Sequence, residues 1–228
     1  MSRTRSAKRA DAKFRVFLID DHPMTRRGLS EMINHERDLT VCGEAEDAIR
    51  GLEAVGASQP DLVLVDLTLP RKSGLTLIKE IRVQHPSVFI LALSMHDETI
   101  YAERVLRSGA QGYIMKNVGG AKLLKAIRQV LNGGIYVSDR VSSKILNVFA
   151  GQREHLNDSP VGRLTDREFE VFQLLGQGLR ASEIGERLHL SSKTIDTHRL
   201  HIKEKLQLKS LPELMKYAVR WAATEEMI

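Results

Sequence analysis

Three short apolar runs each end in a side chain that carries oxygen. Phe14–Ile19 runs into Asp20 and Asp21, Leu62–Val65 into Asp66, and Phe89–Leu93 into Ser94. A fourth run, Gly112–Met115, ends in Lys116. In a parallel α/β sheet the carboxyl ends of the strands open onto one crevice. If the four runs are neighbouring parallel strands, three carboxylates, a hydroxyl and an ammonium converge there. Such a set suits a hard divalent cation and an acidic nucleophile, because hard cations take oxygen ligands and pair with phosphate. Asp20 and Asp21 are adjacent in the chain with no Lys or Arg beside them. Two carboxylates in one crevice repel, so one pKa rises unless a cation is bound. Magnesium would relieve that repulsion and hold the oxygens of an incoming phosphoryl group next to Asp66. A carboxylate can attack phosphorus and become an acyl phosphate. Lys116 would neutralise the developing charge, and Ser94 would hydrogen-bond a phosphate oxygen.

These residues need a scaffold, and the pattern from Phe14 to about Gly134 supplies one. Apolar runs read as buried parallel strands at Phe14–Ile19, Thr40–Gly43, Leu62–Val65, Val88–Leu93 and Gly112–Met115. Between them lie segments of helical spacing. Pro23–His35 carries Met24, Leu29, Met32 and Ile33 on roughly one side. Leu75, Ile78 and Ile81 follow Gly74, and Tyr101, Val105 and Leu106 precede Gly109. Leu123, Leu124, Ile127, Val130 and Leu131 form a last stripe before Gly133. Strand and helix alternating in this way predict an α/β doubly wound, five-stranded parallel sheet. Ser138–Ala150 reads as a linking helix and Gly151–Gly162 as a loop rich in Gly, Asn, Asp, Ser and Pro. After it no strand pattern returns. Thr165–Gly176, Ala181–Leu188, Ser192–Leu206 and Ser210–Ala223 all read as helices, which predicts a second, all-α domain.

Composition bounds the classes. A chain of 228 residues suits two domains, and 42% hydrophobic with 28% charged residues is ordinary for a globular protein. The single cysteine, Cys42, forms no internal disulfide and lacks partners for a zinc site; its apolar run predicts a buried, inert thiol. No apolar stretch approaches the roughly 18 residues of a membrane span. Residues 1–13 are polar and basic, read as a disordered tail and not as a secretory signal. Arg3, Arg5, Lys8, Arg9 and Lys13 against Asp11 supply all but one unit of the formal +5 charge. The high net charge therefore says little about nucleic acid, and local pattern has to carry that point.

The strand-end set resembles the receiver domain of bacterial two-component response regulators. The resemblance rests on Ile19-Asp20-Asp21-His22, Asp66-Leu67-Thr68-Leu69-Pro70 with Gly74, Leu93-Ser94, and Gly112-Tyr113-Ile114-Met115-Lys116. It implies a flavodoxin-like receiver over 14–136 with Asp66 as phosphoacceptor. It implies Mg2+ held directly by Asp21, Asp66 and the Thr68 carbonyl, with Asp20 acting through water. It makes Ser94 and Tyr113 the switch pair. Asn117 follows Lys116 where many receivers carry proline, which removes an expected cis bond. Tyr113 taken alone also fits a core position, and Asp21 before Pro23 also fits a helix cap. His22 and His96 read as solvent-facing loop residues, since magnesium prefers oxygen.

The C-terminal part, 162–228, follows a linker over 137–161. Thr165 with Glu168 three residues on reads as a capping box. Two short helices joined by a tight turn, the second polar and basic, give the helix-turn-helix plan. Leu164–Ser210 resembles the LuxR-type helix-turn-helix of the NarL/FixJ family. The match runs through Leu164-Thr165-Asp166-Arg167-Glu168, Leu174-Leu175-Gly176-Gln177-Gly178, Glu183-Ile184-Gly185-Glu186-Arg187-Leu188 and Ser191-Ser192-Lys193-Thr194-Ile195-Asp196-Thr197-His198. It implies Asp196, Thr197 and Leu200 facing the major groove, with Lys193, His198, Arg199 and Lys203 as phosphate contacts. Leu211, Leu214, Met215, Ala218 and Ala222 form a stripe for a dimer contact or for the domain core; Trp221 reads as a packing anchor.

Together the two resemblances imply a cytoplasmic regulator, phosphorylated on Asp66 by a sensor histidine kinase, that binds double-stranded DNA and forms a homodimer when phosphorylated. They imply no enzyme beyond the phosphoryl chemistry at Asp66 and no membrane association. The short linker predicts that the unphosphorylated receiver masks Thr194–Lys203. Two other classes compete. A haloacid-dehalogenase-type phosphatase needs an Asp-x-Asp nucleophile on the first strand, and here the paired acids come first with no second pair after Lys116. A ligand-sensing regulator would have no use for Asp21, Asp66 and Lys116 together.

Overall fold

The computed structural model describes residues 12–96, 98–149 and 160–225. The expected basic tail up to residue 11 and most of the expected loop at Gly151–Gly162 lie outside the described residues. Strands β1 (Phe14–Ile19), β2 (Leu39–Ala45), β3 (Leu62–Asp66), β4 (Phe89–Ser94) and β5 (Gly112–Met115) form one parallel sheet in the order β2-β1-β3-β4-β5. Helices α1 (Pro23–Asn34), α2 (Ala48–Ser58), α3 (Gly74–Gln84), α4 (Glu98–Arg107) and α5 (Gly120–Leu131) cross between them. This is the doubly wound, flavodoxin-like order, whose direction reverses between β1 and β3.

Side chains alternate along each strand, so each strand feeds two apolar layers. Phe17, Ile19, Val63 and Val65 pack with α2, α3 and α4, while Val16, Leu18, Leu62 and Leu64 pack with α1 and α5. All five residues of β3 are buried, which is why its sequence is a continuous apolar run. Each fully buried aliphatic side chain contributes about 1.5–3 kcal/mol, so a central strand fixes its place by burial alone. β2 runs past the expected Thr40–Gly43, because pairing with β1 continues through Glu44 and Ala45 beyond a bulge at Val16/Phe17. Cys42, expected to be buried, is half-buried, and burial still pushes its thiol pKa up.

Helix α2 turns a narrow side inward, carried by small Ala48 and Gly51 with Val55. Its ends are set locally. Asp47 accepts from the Ile49 and Arg50 N–H groups at 2.9 Å, and Gln59 closes the helix in the left-handed region.

Tyr136 bridges to Gly112 of β5, and the Ser138 N–H donates to Glu98 Oε1 at 2.6 Å. The next helix, α6 (Asp139–Phe149), buries Val141 against the receiver core. The start of the expected linker is thus packed, not free. A 3₁₀ turn at Pro160–Arg163 leads into α7 (Asp166–Gly176), α8 (Ala181–Leu188), α9 (Ser192–Lys205) and α10 (Leu211–Glu225). Leu214 and Ala218 are fully buried, so these two stripe positions serve the core of this domain; Val219 is the exposed large apolar residue of α10. Trp221 packs on Phe169 and Phe172, with ring centroids 5.7 and 5.3 Å away.

Helix α7 begins in the expected capping box. Thr165 Oγ1 accepts from the Glu168 N–H at 3.3 Å, and Glu168 Oε2 accepts from the Thr165 N–H at 2.8 Å. Lys205 of α9 reaches the same carboxylate at 2.6 Å. Burial works against the Glu168 charge, yet Lys205 and Thr165 outweigh it and hold its pKa below the ordinary value. Replacing Thr165 by Ala is expected to cost about 1 kcal/mol, the usual loss of an N-cap, seen as a lower urea midpoint with unchanged slope.

Candidate functional site

Strand register brings the acids together. Ile19 pairs with Val65, so Asp20 follows β1 level with Asp66, which pairs in turn with Leu93. Ser94 pairs with Met115, which leaves Lys116 one step beyond. The Lys116 ammonium then sits 2.7 Å from Asp20 Oδ2 and 2.7 Å from Asp66 Oδ2. Asp20 and Asp66 are both 2% exposed, so this cation is the near charge that permits two carboxylates to be buried side by side. Burial pushes the Asp66 carboxyl above its ordinary pKa, against the pull of Lys116. Burial opposes the Lys116 charge as well, but the charges on Asp66 and Asp20 outweigh it and raise its pKa.

Asp21 is half-buried and joins Asp20, His22 and Asp66 in one cluster whose ligand atoms lie within 4.8 Å of one another. Asp20 Oδ2 is paired with the Lys116 ammonium, and Asp21 Oδ1 lies 2.7 Å from Nδ1 of the exposed His22 ring. Three carboxylates gathered in one cleft against a single ammonium match the oxygen donor set of a hard divalent cation. Thr68 is exposed beside the cluster, and its N–H donates to Asp66 Oδ1 at 3.1 Å. Arg26, which no sequence motif singles out, donates to the Asp20 carbonyl at 2.6 Å and braces the end of β1. Gly74 starts α3 directly under this loop, and its N–H donates to the Leu67 carbonyl at 3.0 Å.

Ser94 and Tyr113 are both fully buried. Their bonds meet on His96: its N–H donates to Ser94 Oγ at 3.2 Å, and its carbonyl accepts from the Tyr113 hydroxyl at 2.7 Å. The expectation that His96 faces solvent is corrected. Its ring is half-buried, lies 3.3 Å from Thr68 Oγ1 and stacks on Tyr101 with centroids 4.8 Å apart. No local pattern marks His96 for this, because the stacking partner belongs to α4. His22, by contrast, is exposed as expected. Among the described residues no peptide bond is cis.

In the C-terminal domain Ser191 caps α9, accepting from the Thr194 N–H at 3.1 Å. Ile195 and Ile202 turn into the core, which sends Lys193, Asp196, Thr197 and Leu200 outward. Leu200 is 45% exposed, an apolar group suited to a thymine methyl. His201 shares that exposed face. Two of the expected phosphate contacts, Arg199 and His198, are only partly open to solvent. Arg199 is half-buried and bound to Asp196 Oδ1 at 2.8 Å, so each offsets the other's charge. His198 is half-buried on the domain's inner side, where burial and then Arg167 lower its pKa. Lys203 is half-buried. The Thr197 hydroxyl donates to the Lys193 carbonyl at 3.0 Å.

Among the described residues the polar contacts between the two domains fall outside α9. Lys79 and Arg104 of the receiver reach Asp166, Ser73 bonds Glu170, and Tyr101 bonds Gln173, all on α7. The expected masking of Thr194–Lys203 is therefore not the arrangement found: the outward face of α9 stays open while α7 carries the contact.

A family profile described as the response regulator receiver domain matches residues 16–128, and one described as bacterial regulatory proteins of the luxR family matches 162–218. The oxygen regulatory protein NreC of Staphylococcus carnosus is 36% identical over 210 residues, covering 90% of this chain and 97% of that one. The chain is a member of the response-regulator family. NreC of Staphylococcus aureus is 38% identical with the same coverage. Among solved structures, RcsB of Salmonella enterica serovar Typhimurium, bound to the rprA promoter in the presence of the phosphomimetic BeF3−, superposes with a TM-score of 0.69 at 26% identity, covering 91% of this chain and 99% of that one. As a response regulator of NarL type, this protein couples a receiver to a LuxR-type DNA-binding domain for phosphorylation-controlled transcription; it is not a conventional enzyme. No helix among the described residues is long and apolar enough to cross a membrane.

Proposed function

We propose that a sensor histidine kinase phosphorylates this response regulator on Asp66, and that the acyl phosphate controls sequence-specific binding of a homodimer to double-stranded DNA. The receiver would span 14–136, the linker 137–161 and the output domain 162–228. The observation that carries the reading is the Lys116 ammonium held 2.7 Å from both Asp20 and Asp66 at the sheet's switch point. Asp66 would attack the phosphorus of phosphohistidine through a carboxylate oxygen, forming the O–P bond as the N–P bond to the imidazole breaks. Lys116 would offset the charge gathering on the phosphoryl oxygens, and the Ser94 hydroxyl would donate to one of them. Asp21, Asp66 and the Thr68 carbonyl would hold Mg2+, with Asp20 one water away; the ion supplies positive charge for the phosphoryl oxygens. Burial of Asp66 disfavours its free anion, so neutralisation of the cleft is what makes it available as a nucleophile.

On DNA, Asp196, Thr197 and Leu200 would read base edges, with Lys193, His198, Arg199 and Lys203 on the phosphates. Because Lys193 is exposed and Arg199 is tied to Asp196, Lys193 is expected to carry more of the salt-dependent affinity. Lys193→Ala should reduce the salt slope by about one unit across all sequences. Thr197→Ala should instead alter sequence preference by about 1–3 kcal/mol at the base it meets. A DNA titration at several salt concentrations, with and without acetyl phosphate and magnesium, tests both layers. An unchanged slope for Lys193→Ala would rule out this docking. Equal affinity with and without label would sever Asp66 from DNA binding.

A further inference from the structure

We propose that Arg104 is the latch holding the output domain on the receiver, and that the His96–Tyr101 stack is the link through which the Asp66 site releases it. The second half of this inference rests on the proposed phosphorylation of Asp66; the first does not.

Arg104 lies on α4, yet it is only 7% exposed because the output domain covers it. Its guanidinium donates to Asp166 Oδ1 at 3.1 Å, to the Val161 carbonyl at 3.0 Å and to the Gly162 carbonyl at 3.4 Å. The same group lies 4.5 Å from the centre of the Phe169 ring. Asp166, Gly162 and Phe169 belong to the output domain, and Val161 is the last residue of the linker that leads into it. A buried cation is tolerable only when its partners are in place, and the planar fork of arginine meets one carboxylate and two carbonyls where a lysine ammonium would not. If the output domain moves away, water takes over every one of these contacts, so this residue's burial and the docking stand or fall together. Among the described residues its buried Nε has no hydrogen-bond partner, which weakens the docked state.

Tyr101 precedes Arg104 by three residues and so shares its helix face. Its hydroxyl bonds Gln173, and the edge of the Phe169 ring packs on it at 5.2 Å. The Tyr101 ring also stacks on His96, at an interplanar angle of 13°. His96 in turn is bonded to Ser94, Tyr113 and Thr68, and Thr68 to Asp66 Oδ1. One residue thus touches the expected switch pair, the loop beside the phosphoacceptor and the docking face. A phosphoryl group on Asp66 adds about −1.5 to −2 charge and three acceptor oxygens. The Ser94 and Thr68 hydroxyls would turn to those oxygens and leave His96, which then quits Tyr101 and disturbs the seat of Phe169 and Arg104. The docked and released states differ in real contacts, as any shift of the equilibrium requires. Because α9 is already open, release does not uncover the recognition helix. It frees the domain to reach a second half-site beside its dimer partner.

The test uses the full-length chain, small-angle scattering for compactness, and phosphate-affinity gels for labelling by acetyl phosphate with magnesium. Arg104→Ala without phosphate should reach the radius of gyration of the labelled wild type. Asp166→Ala should do the same from the other side of the interface, so a folding defect in one variant does not decide the matter. His96→Ala should take up label yet keep one radius with and without it. Compact Arg104→Ala and Asp166→Ala chains would overturn the latch, and a His96→Ala chain that still expands on labelling would overturn the link. If wild type takes no label, the phosphorylation reading fails by itself, while the radii of the unlabelled variants still judge the latch.

Discussion

Asp66→Asn is expected to take up no phosphoryl group from acetyl phosphate and magnesium, with labelling falling to background. An amide oxygen lacks the negative charge and nucleophilicity of a carboxylate, and the amide nitrogen would place N–H donors against Lys116, whose Nζ lies 2.7 Å from Asp66 Oδ2. The buried ammonium would keep only Asp20 as its counter-charge. Two further variants separate the parts of the cleft. Asp21→Ala should weaken labelling and raise the magnesium concentration needed for it, since one oxygen donor of the cluster is gone. Lys116→Ala should slow labelling more steeply at low pH. Without the ammonium, burial raises the Asp66 pKa further, so the reactive carboxylate form is lost as pH falls through that higher value. Undiminished labelling of Asp66→Asn would move the acceptor elsewhere.

Gly74→Ala is expected to destabilise the receiver by about 3 kcal/mol, the upper end of the usual cost of overpacking. A Cβ built on Gly74 would stand 2.2 Å from the Asp66 carbonyl oxygen and 2.6 Å from Leu67 Cα. Both obstacles are backbone, and neither can rotate away. Asp66 ends the central strand β3 and Leu67 N–H donates to the Leu93 carbonyl at 3.2 Å, so relief has to come from shifting the loop or the start of α3. Where the loop gives way, Asp66 is displaced relative to Lys116, and labelling should fall together with stability. The measurement is a urea titration beside the labelling assay. A variant as stable as wild type and labelled at the same rate would show that α3 retreats without disturbing the site.

The acids at the strand ends are legible in the amino-acid sequence alone. Apolar runs of this length bury themselves in a central sheet, and parallel strands all end on the same edge, so Asp20, Asp66 and Ser94 have to share a crevice with Lys116. The capping box at Thr165 and the Ile195/Ile202 stripe of α9 are equally legible, since both are set by near neighbours in the chain. Helix α2 is less so: Ala48, Gly51, Leu52 and Val55 have helical spacing, but two of the four are too small to stand out as an apolar stripe. Tertiary packing alone decides the rest. Leu214 and Ala218 fit a dimer stripe and a core equally well by spacing, and contact with α7 makes them core. Arg199 and Asp196 read as two DNA contacts until the helix turn joins them as an ion pair. The docking of α7 on α3 and α4 depends on Arg104, Tyr101, Asp166 and Glu170, ordinary polar residues whose partners lie scores of positions away. Burial writes a period into the sequence because every residue on one face must be apolar. A polar contact between two domains has no period, and only folding brings its halves together.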